Sequence, residues 1–117
     1  ARALLHDNLQ ATWWTSGERF AGANAFIEVN ARYPEGWTIQ VVDVAMLRDG
    51  RVMSVVRVDQ PPRSFFATSF YLTDDGQITA IDEYWATVEA PPAWRGPGAV
   101  AGATRFDPLT DVRAVTP

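Results

Sequence analysis

Four segments between Trp37 and Glu89 alternate apolar and polar residues between turn residues, which is the pattern of β-strands. Their ranges are Trp37 to Leu47, Val52 to Asp59, Ser64 to Thr73 and Gln77 to Glu89. The turns between them contain Asp-Gly or Pro-Pro pairs, as in Asp74-Asp75-Gly76 before the last segment. Because consecutive strands with short connections usually pair with each other, we predict an antiparallel meander.

The first third of the chain predicts two helical segments and one strand. Residues Ala1 to His6 are typical of the last turn of a helix whose beginning is absent, and Leu9 to Trp14 predicts a short strand. From Gly22, apolar residues at helical spacing predict a helix that ends at Pro34-Glu35-Gly36. Helices followed by strands predict an α+β domain with the helices packed on one face of the sheet.

The chain changes character after Pro91, where Pro, Gly and Ala dominate and no periodicity survives. We therefore expect one domain over residues 1–95, with its N-terminal helix incomplete, and an irregular arm over residues 96–117. Phe106 and Leu109 are the expected anchors if this arm folds back onto the domain.

The amino-acid composition excludes several kinds of catalytic and metal-binding site. The chain has 117 residues, 47% of them hydrophobic, and a net charge of −4, so a folded domain is expected and nucleic acid is a poor partner. All ten cationic residues are Arg, Cys is absent, and His6 is the single histidine. A Schiff-base lysine, a thiol nucleophile and a multi-histidine metal site are therefore excluded, and we expect no metal and no cofactor.

The apolar runs are too short to span a membrane and no signal peptide is visible, so we expect a cytoplasmic protein without a membrane partner.

Two adjacent carboxylates interrupt the last apolar strand. Alternation puts Ile81, Glu83 and Trp85 on one face of that strand, and Asp82 on the other. A carboxylate in such a strand is costly unless it is paired or used. The pattern predicts an apolar pocket with one polar group at its base.

Three parts of the chain resemble the nuclear-transport-factor-2-like superfamily, and within it the SnoaL-like domains. They are LLHDNLQATWWTSGERFAG, the YPEGW turn, and DDGQITAIDEYW followed by PPAWR. The resemblance implies a cystatin-like α+β fold in which a curved antiparallel sheet wraps around helices and forms a cone with an internal cavity. It also implies a small apolar molecule as ligand and a homodimer through the outer face of the sheet.

The resemblance also suggests catalytic residues. Glu83 matches the acidic position of SnoaL-like cyclases and limonene-type epoxide hydrolases, which makes it the candidate general acid or base. Arg57-Val58-Asp59 resembles the Arg-x-Asp of the epoxide hydrolases, so Arg57 and Asp59 would converge on Glu83 in a triad. Cyclase, hydrolase and dehydratase reactions are the classes implied.

The same comparison gives candidate ligand-binding residues. Thr12 and Trp14 fall near the residues that hold the attacking water in the epoxide hydrolases. Thr68 falls near the oxyanion acid of ketosteroid isomerase, and Trp13 near its general base, so that reaction is not expected. Trp14 and Trp85 are candidates for the pocket wall.

Alternative interpretations remain open at this stage. Arg57 and Asp59 could form an exposed ion pair, and Glu83 could pair with Arg57 or Arg95. Asp82 would then face solvent or a second subunit. The pocket could bind a ligand without catalysis, or it could be filled by Trp and Phe side chains in a dimerising accessory domain.

Overall fold

The structure is a computed structural model that describes residues 2–33 and 36–110. Within these residues it contains one α-helix, α1 (Ala23–Ala31), six β-strands, and short 3-10 helices at Arg2–Leu4 and Ala93–Arg95. The strands are β1 (Leu5–Trp13), β2 (Glu18–Ala21), β3 (Thr38–Met46), β4 (Val52–Gln60), β5 (Arg63–Asp74) and β6 (Gln77–Thr87).

The six strands form one curved sheet that does not close, in the order β2-β1-β6-β5-β4-β3. Strands β3 to β6 are the predicted antiparallel meander. Strand β1 lies parallel to β6, so the sheet is mixed rather than wholly antiparallel. This α+β arrangement, with a helix against a curved sheet, is the predicted fold class.

The hairpin between β5 and β6 begins the pairing of the strand that carries both carboxylates, and a register shift between Leu72 and Thr73 follows it. Asp74 pairs with Gln77, and the two residues between them, Asp75 and Gly76, have φ angles of 50° and 77°. Two positive φ angles define the type I′ turn, whose twist matches that of paired strands. The Asp-Gly turn signal in the sequence is therefore confirmed.

The N-terminal region differs from the prediction. Strand β1 already begins at Leu5, so the residues up to His6 do not form the last turn of an α-helix. Strand β1 ends just before Thr15 to Gly17, where the chain reverses and returns as β2 beside β1. Strand β2 was not predicted, since its four residues are too few to show a period.

Helix α1 covers part of one face of the sheet, here called the inner face. The core on this face consists of Leu9, Ala11 and Ile81, with Phe26 of α1 packed against them. The helix begins after Gly22, which has a φ of 93° and donates its N–H to Leu9 O at 2.6 Å. The opposite side of the sheet is the outer face.

The part of the arm that is described, residues 96–110, contains no helix or strand. It returns to the outer face, where Arg57 Nη1 donates to Leu109 O at 2.6 Å. The anchor prediction for Phe106 is wrong, because this side chain is 70% exposed. Helix α1 ends at Ala31, before the predicted stop at Pro34-Glu35-Gly36. Pro34, Glu35 and the arm beyond residue 110 lie outside the described residues. In the part of the chain that the structure describes, no helix is long and apolar enough to cross a membrane.

Candidate functional site

An open pocket of about 530 Å³ lies on the inner face of the sheet. Its walls come from β1, from α1 and the segment that follows it, and from β3 to β6. Most of the lining is apolar or aromatic, and Glu83, Glu18 and a few neutral polar side chains interrupt it. A pocket of this size and composition is typical of small-molecule sites.

Glu83 lies in this pocket and accepts two hydrogen bonds. Trp13 Nε1 donates to Glu83 Oε1 at 2.8 Å, and Ser69 Oγ donates to Glu83 Oε2 at 2.6 Å. Both donor residues are buried, with Ser69 only 1% and Trp13 only 6% exposed. The carboxylate is therefore held in one position by two neutral donors.

The strand register explains why these donors meet Glu83. Strand β6 lies between β1 and β5, and Glu83 has Trp13 and Ser69 as its paired neighbours on those strands. Paired residues on neighbouring strands project from the same face of a sheet. The prediction that Glu83 and Trp85 share a face opposite Asp82 is therefore confirmed.

The predicted triad of Arg57, Asp59 and Glu83 does not form. On β4 the pocket is lined by Val56 and Val58, so Arg57 and Asp59 lie on the outer face. There Arg57 Nε contacts Asp59 Oδ1 at 3.0 Å. The hydroxyl of Ser64 donates to the same oxygen at 2.6 Å. These bonds hold the pKa of Asp59 below its usual value, with the Arg57 hydrogen bond as the main cause.

Three of the four predicted ligand-binding residues also lie away from the pocket. Thr12 is buried and accepts a hydrogen bond from Arg19 Nε at 3.2 Å. Trp14 is half exposed and donates to Asp82 Oδ1 at 2.7 Å. Thr68 pairs with Tyr84 on the outer face. Trp85 alone of the four lines the pocket.

Several pocket residues were not predicted from the sequence. Trp13, Ser69, Glu18 and Tyr33 line the pocket but were not among the candidate site residues. Burial raises the pKa of Tyr33, and the nearby carboxylates of Glu18 and Glu83 raise it further. Counting back from the Asp-Gly turn would have placed Ser69 opposite Asp82. The register shift between Leu72 and Thr73 places it opposite Glu83 instead, and the sequence carries no signal for that shift.

The indole of Trp85 shows an unusual feature. Its Nε1 is buried and has no hydrogen-bond partner among the described residues. A buried donor without an acceptor lowers stability by roughly 1–3 kcal/mol relative to one that is hydrogen-bonded.

Within the described residues, no group of three or more His, Cys, Asp or Glu side chains could hold a metal ion.

Comparison with solved structures identifies the fold. A candidate ketosteroid isomerase from Kribbella flavida superimposes with a TM-score of 0.76 over 91% of this chain and 75% of that chain, at 22% identity. The chain has the nuclear-transport-factor-2-like fold. The resemblance stated from the sequence is thereby confirmed at the level of fold.

Two further structures share this nuclear-transport-factor-2-like fold. An NTF-2 like protein of unknown function from Burkholderia xenovorans has a TM-score of 0.68 and 15% identity, covering 91% of this chain and 80% of that chain. An LEH-like epoxide hydrolase from M. tuberculosis has a TM-score of 0.56 and 19% identity, covering 73% and 67%. No protein-family model and no curated protein match the sequence. At these identities the similarity establishes the fold and not the reaction.

Proposed function

We propose that this protein binds a small, mainly hydrophobic molecule in the inner-face pocket, with Glu83 as the polar contact at its base. The observation that carries the proposal is a fixed carboxylate in a pocket of about 530 Å³ whose lining is mainly apolar and aromatic. Apolar walls with one placed polar group give affinity and orientation together.

Acid/base catalysis of the cyclase, hydrolase or dehydratase type is the second candidate function. Glu83 is the carboxylate that hydrogen bonds fix within the pocket, and it could transfer a proton to or from a bound molecule. Arg57 and Asp59 are not available for this step, because they lie on the other side of the sheet. A binding domain without catalytic activity needs only the pocket itself. We therefore propose binding as the primary function.

A pair of variants on β4 tests pocket binding. The probe is 4-(3,3-dimethylbutyl)phenol, a neutral molecule small enough for the pocket, and tryptophan fluorescence reports its binding. Val56→Phe adds an aromatic ring on the pocket side, and Val55→Phe adds the same ring on the outer face. We expect Val56→Phe to weaken binding at least tenfold and Val55→Phe to leave it within about twofold. Equal effects of the two variants would reject the pocket as the binding site.

The homodimer through the sheet and the cytoplasmic location are further proposals. The outer face carries a stacked pair, Trp14 and Tyr84, with ring centroids 6.3 Å apart and both side chains more than two-fifths exposed. Exposed aromatic pairs of this kind are common in protein interfaces. Sedimentation equilibrium of the wild type and of Tyr84→Glu tests the dimer, since a buried carboxylate would disrupt it.

A further inference from the structure

The carboxylate of Glu83 has no cationic partner in the part of the chain that the structure describes. Four other carboxylates, those of Asp7, Glu28, Asp49 and Asp59, each form an ion pair with an Arg. The bonds to Glu83 instead come from the neutral indole of Trp13 and the neutral hydroxyl of Ser69. Glu83 is partly buried, and carboxylates that are withdrawn from water usually have a positive partner.

The rest of the pocket shows the same absence of positive charge. Among the described lining residues there is a second carboxylate, Glu18, but no Arg, Lys or His. Because Trp13 and Glu18 are paired neighbours on β1 and β2, Glu18 projects from the inner face as well. Burial is the main cause of the raised pKa of Tyr33, and both carboxylates raise it further, so their negative potential extends to another residue of the pocket lining.

The aromatic rings of the two faces also differ in whether an Arg side chain lies over them. On the outer face, Arg19 lies 5.9 Å from the Trp14 ring and Arg51 lies 5.2 Å from the Phe70 ring. No described Arg lies over an aromatic ring of the pocket. The pocket nevertheless contains seven aromatic side chains: Trp13, Phe26, Tyr33, Trp37, Phe65, Tyr71 and Trp85. The faces of these rings are negative and attract cations.

From these observations we infer that the ligand of this pocket carries a positive nitrogen within a hydrophobic body, as in an alkylated ammonium compound. The inference rests on the proposed function, since it names the chemical class of the molecule bound at the same site. The nitrogen would provide the missing cation for Glu83, while its alkyl groups contact the aromatic walls. A hydrophobic anion is disfavoured, because it would enter a pocket with two carboxylates and no described positive side chain.

The direct test compares two probes of the same shape and different charge. The first is trimethyl-[2-(4-hydroxyphenyl)ethyl]ammonium, and the second is its uncharged carbon isostere, 4-(3,3-dimethylbutyl)phenol. We expect the cation to bind about tenfold more tightly at low ionic strength, and the difference to shrink as salt is added. Equal or tighter binding of the neutral probe would overturn the inference and leave pocket binding intact. If neither probe binds, both the inference and the proposed function are rejected.

Variants identify the carboxylate responsible. Glu83→Gln should weaken binding of the cation at least about fivefold more than it weakens binding of the neutral probe. Asp82→Asn is the matched control, because it removes a neighbouring carboxylate that also accepts an indole N–H but lies outside the pocket. If Glu83→Gln does not fold, Glu18→Gln at the exposed rim provides the same comparison with a smaller expected loss. A uniform loss for both probes in these variants would contradict the inference.

Discussion

Asp82 and Glu83 are adjacent in β6, and each accepts an indole N–H on a different face of the sheet. Trp14 Nε1 lies 2.7 Å from Asp82 Oδ1, and Trp13 Nε1 lies 2.8 Å from Glu83 Oε1. The two pairs have the same chemistry but different surroundings, because Trp14 is 50% exposed and Trp13 is 6% exposed. This relationship provides an internal control for most experiments on Glu83.

Removing the carboxylate of Glu83 should destabilise the protein more than removing that of Asp82. Glu83→Ala leaves two buried donors, Trp13 Nε1 and Ser69 Oγ, without an acceptor, so we expect a loss of about 2–4 kcal/mol in the free energy of unfolding. Asp82→Ala leaves a donor on the exposed Trp14, which water can satisfy, so the loss should stay below about 1 kcal/mol. Urea unfolding followed by circular dichroism measures both values. Equal losses would contradict the role assigned to the buried bonds.

The two inner-face tryptophans should respond differently to the same substitution. Trp13→Phe removes the donor to Glu83, whereas Trp85→Phe removes a buried N–H that has no described partner. We expect Trp13→Phe to lower the free energy of unfolding by about 1–3 kcal/mol more than Trp85→Phe does. In Trp85→Phe, removal of the unpaired N–H partly offsets the loss of packing. Thermal unfolding of both variants at one pH makes the comparison. A larger loss for Trp85→Phe would show that packing at that position outweighs the unpaired donor.

The ion pair between Arg57 and Asp59 predicts a pH dependence. The pKa of Asp59 is lowered in the folded protein by its bonds to Arg57 and Ser64. The stabilisation is therefore present above the unfolded pKa of about 3.9 and is lost as the pH falls through the lower folded value. The difference in unfolding free energy between wild type and Asp59→Asn, on the order of 1 kcal/mol, should be constant near neutral pH and decrease below about pH 4. A difference that persists at low pH would reject the ionic contribution.

Arg57 should also hold the C-terminal arm against the outer face. Its bond to Leu109 O is lost in Arg57→Gln, so we expect trypsin to cleave after Arg105 several-fold faster. Arg51→Gln is the control, because Arg51 pairs with Asp49 and lies away from the arm. Mass spectrometry of timed digests measures the rate. Equal cleavage rates in both variants would show that this bond does not restrain the arm.

Much of the fold could be predicted because its signals are local. The Asp-Gly turn before β6 and the alternation of Ile81, Glu83 and Trp85 each depend on a few neighbouring residues. The parallel pairing of β1 with β6 joins segments about seventy positions apart, and strand patterns do not encode their partner's direction. Strand β2 was not predicted, because its four residues are too few to show an alternating pattern.

The candidate site was predicted only in part, for a related reason. Glu83 and Trp85 were placed by alternation within one strand, which needs no knowledge of the other strands. Whether Arg57 shares a face with Glu83 depends on the register across β4, β5 and β6, which a motif does not contain. A shift of one residue in that register moves a side chain to the opposite face of the sheet. The resemblance of Arg57-Val58-Asp59 to a catalytic motif therefore gave the wrong face.

The central claim is that the inner-face pocket is the ligand site, and fluorine NMR tests it most directly. In protein labelled with 5-fluorotryptophan, Trp13, Trp37 and Trp85 report on the pocket, while Trp14 and Trp94 lie outside it. Five Trp→Phe variants assign the five signals. On addition of trimethyl-[2-(4-hydroxyphenyl)ethyl]ammonium or 4-(3,3-dimethylbutyl)phenol, we predict saturable shifts of the three pocket signals and constant Trp14 and Trp94 signals. Shifts confined to Trp14 and Trp94, or no shift with either probe, would contradict the account.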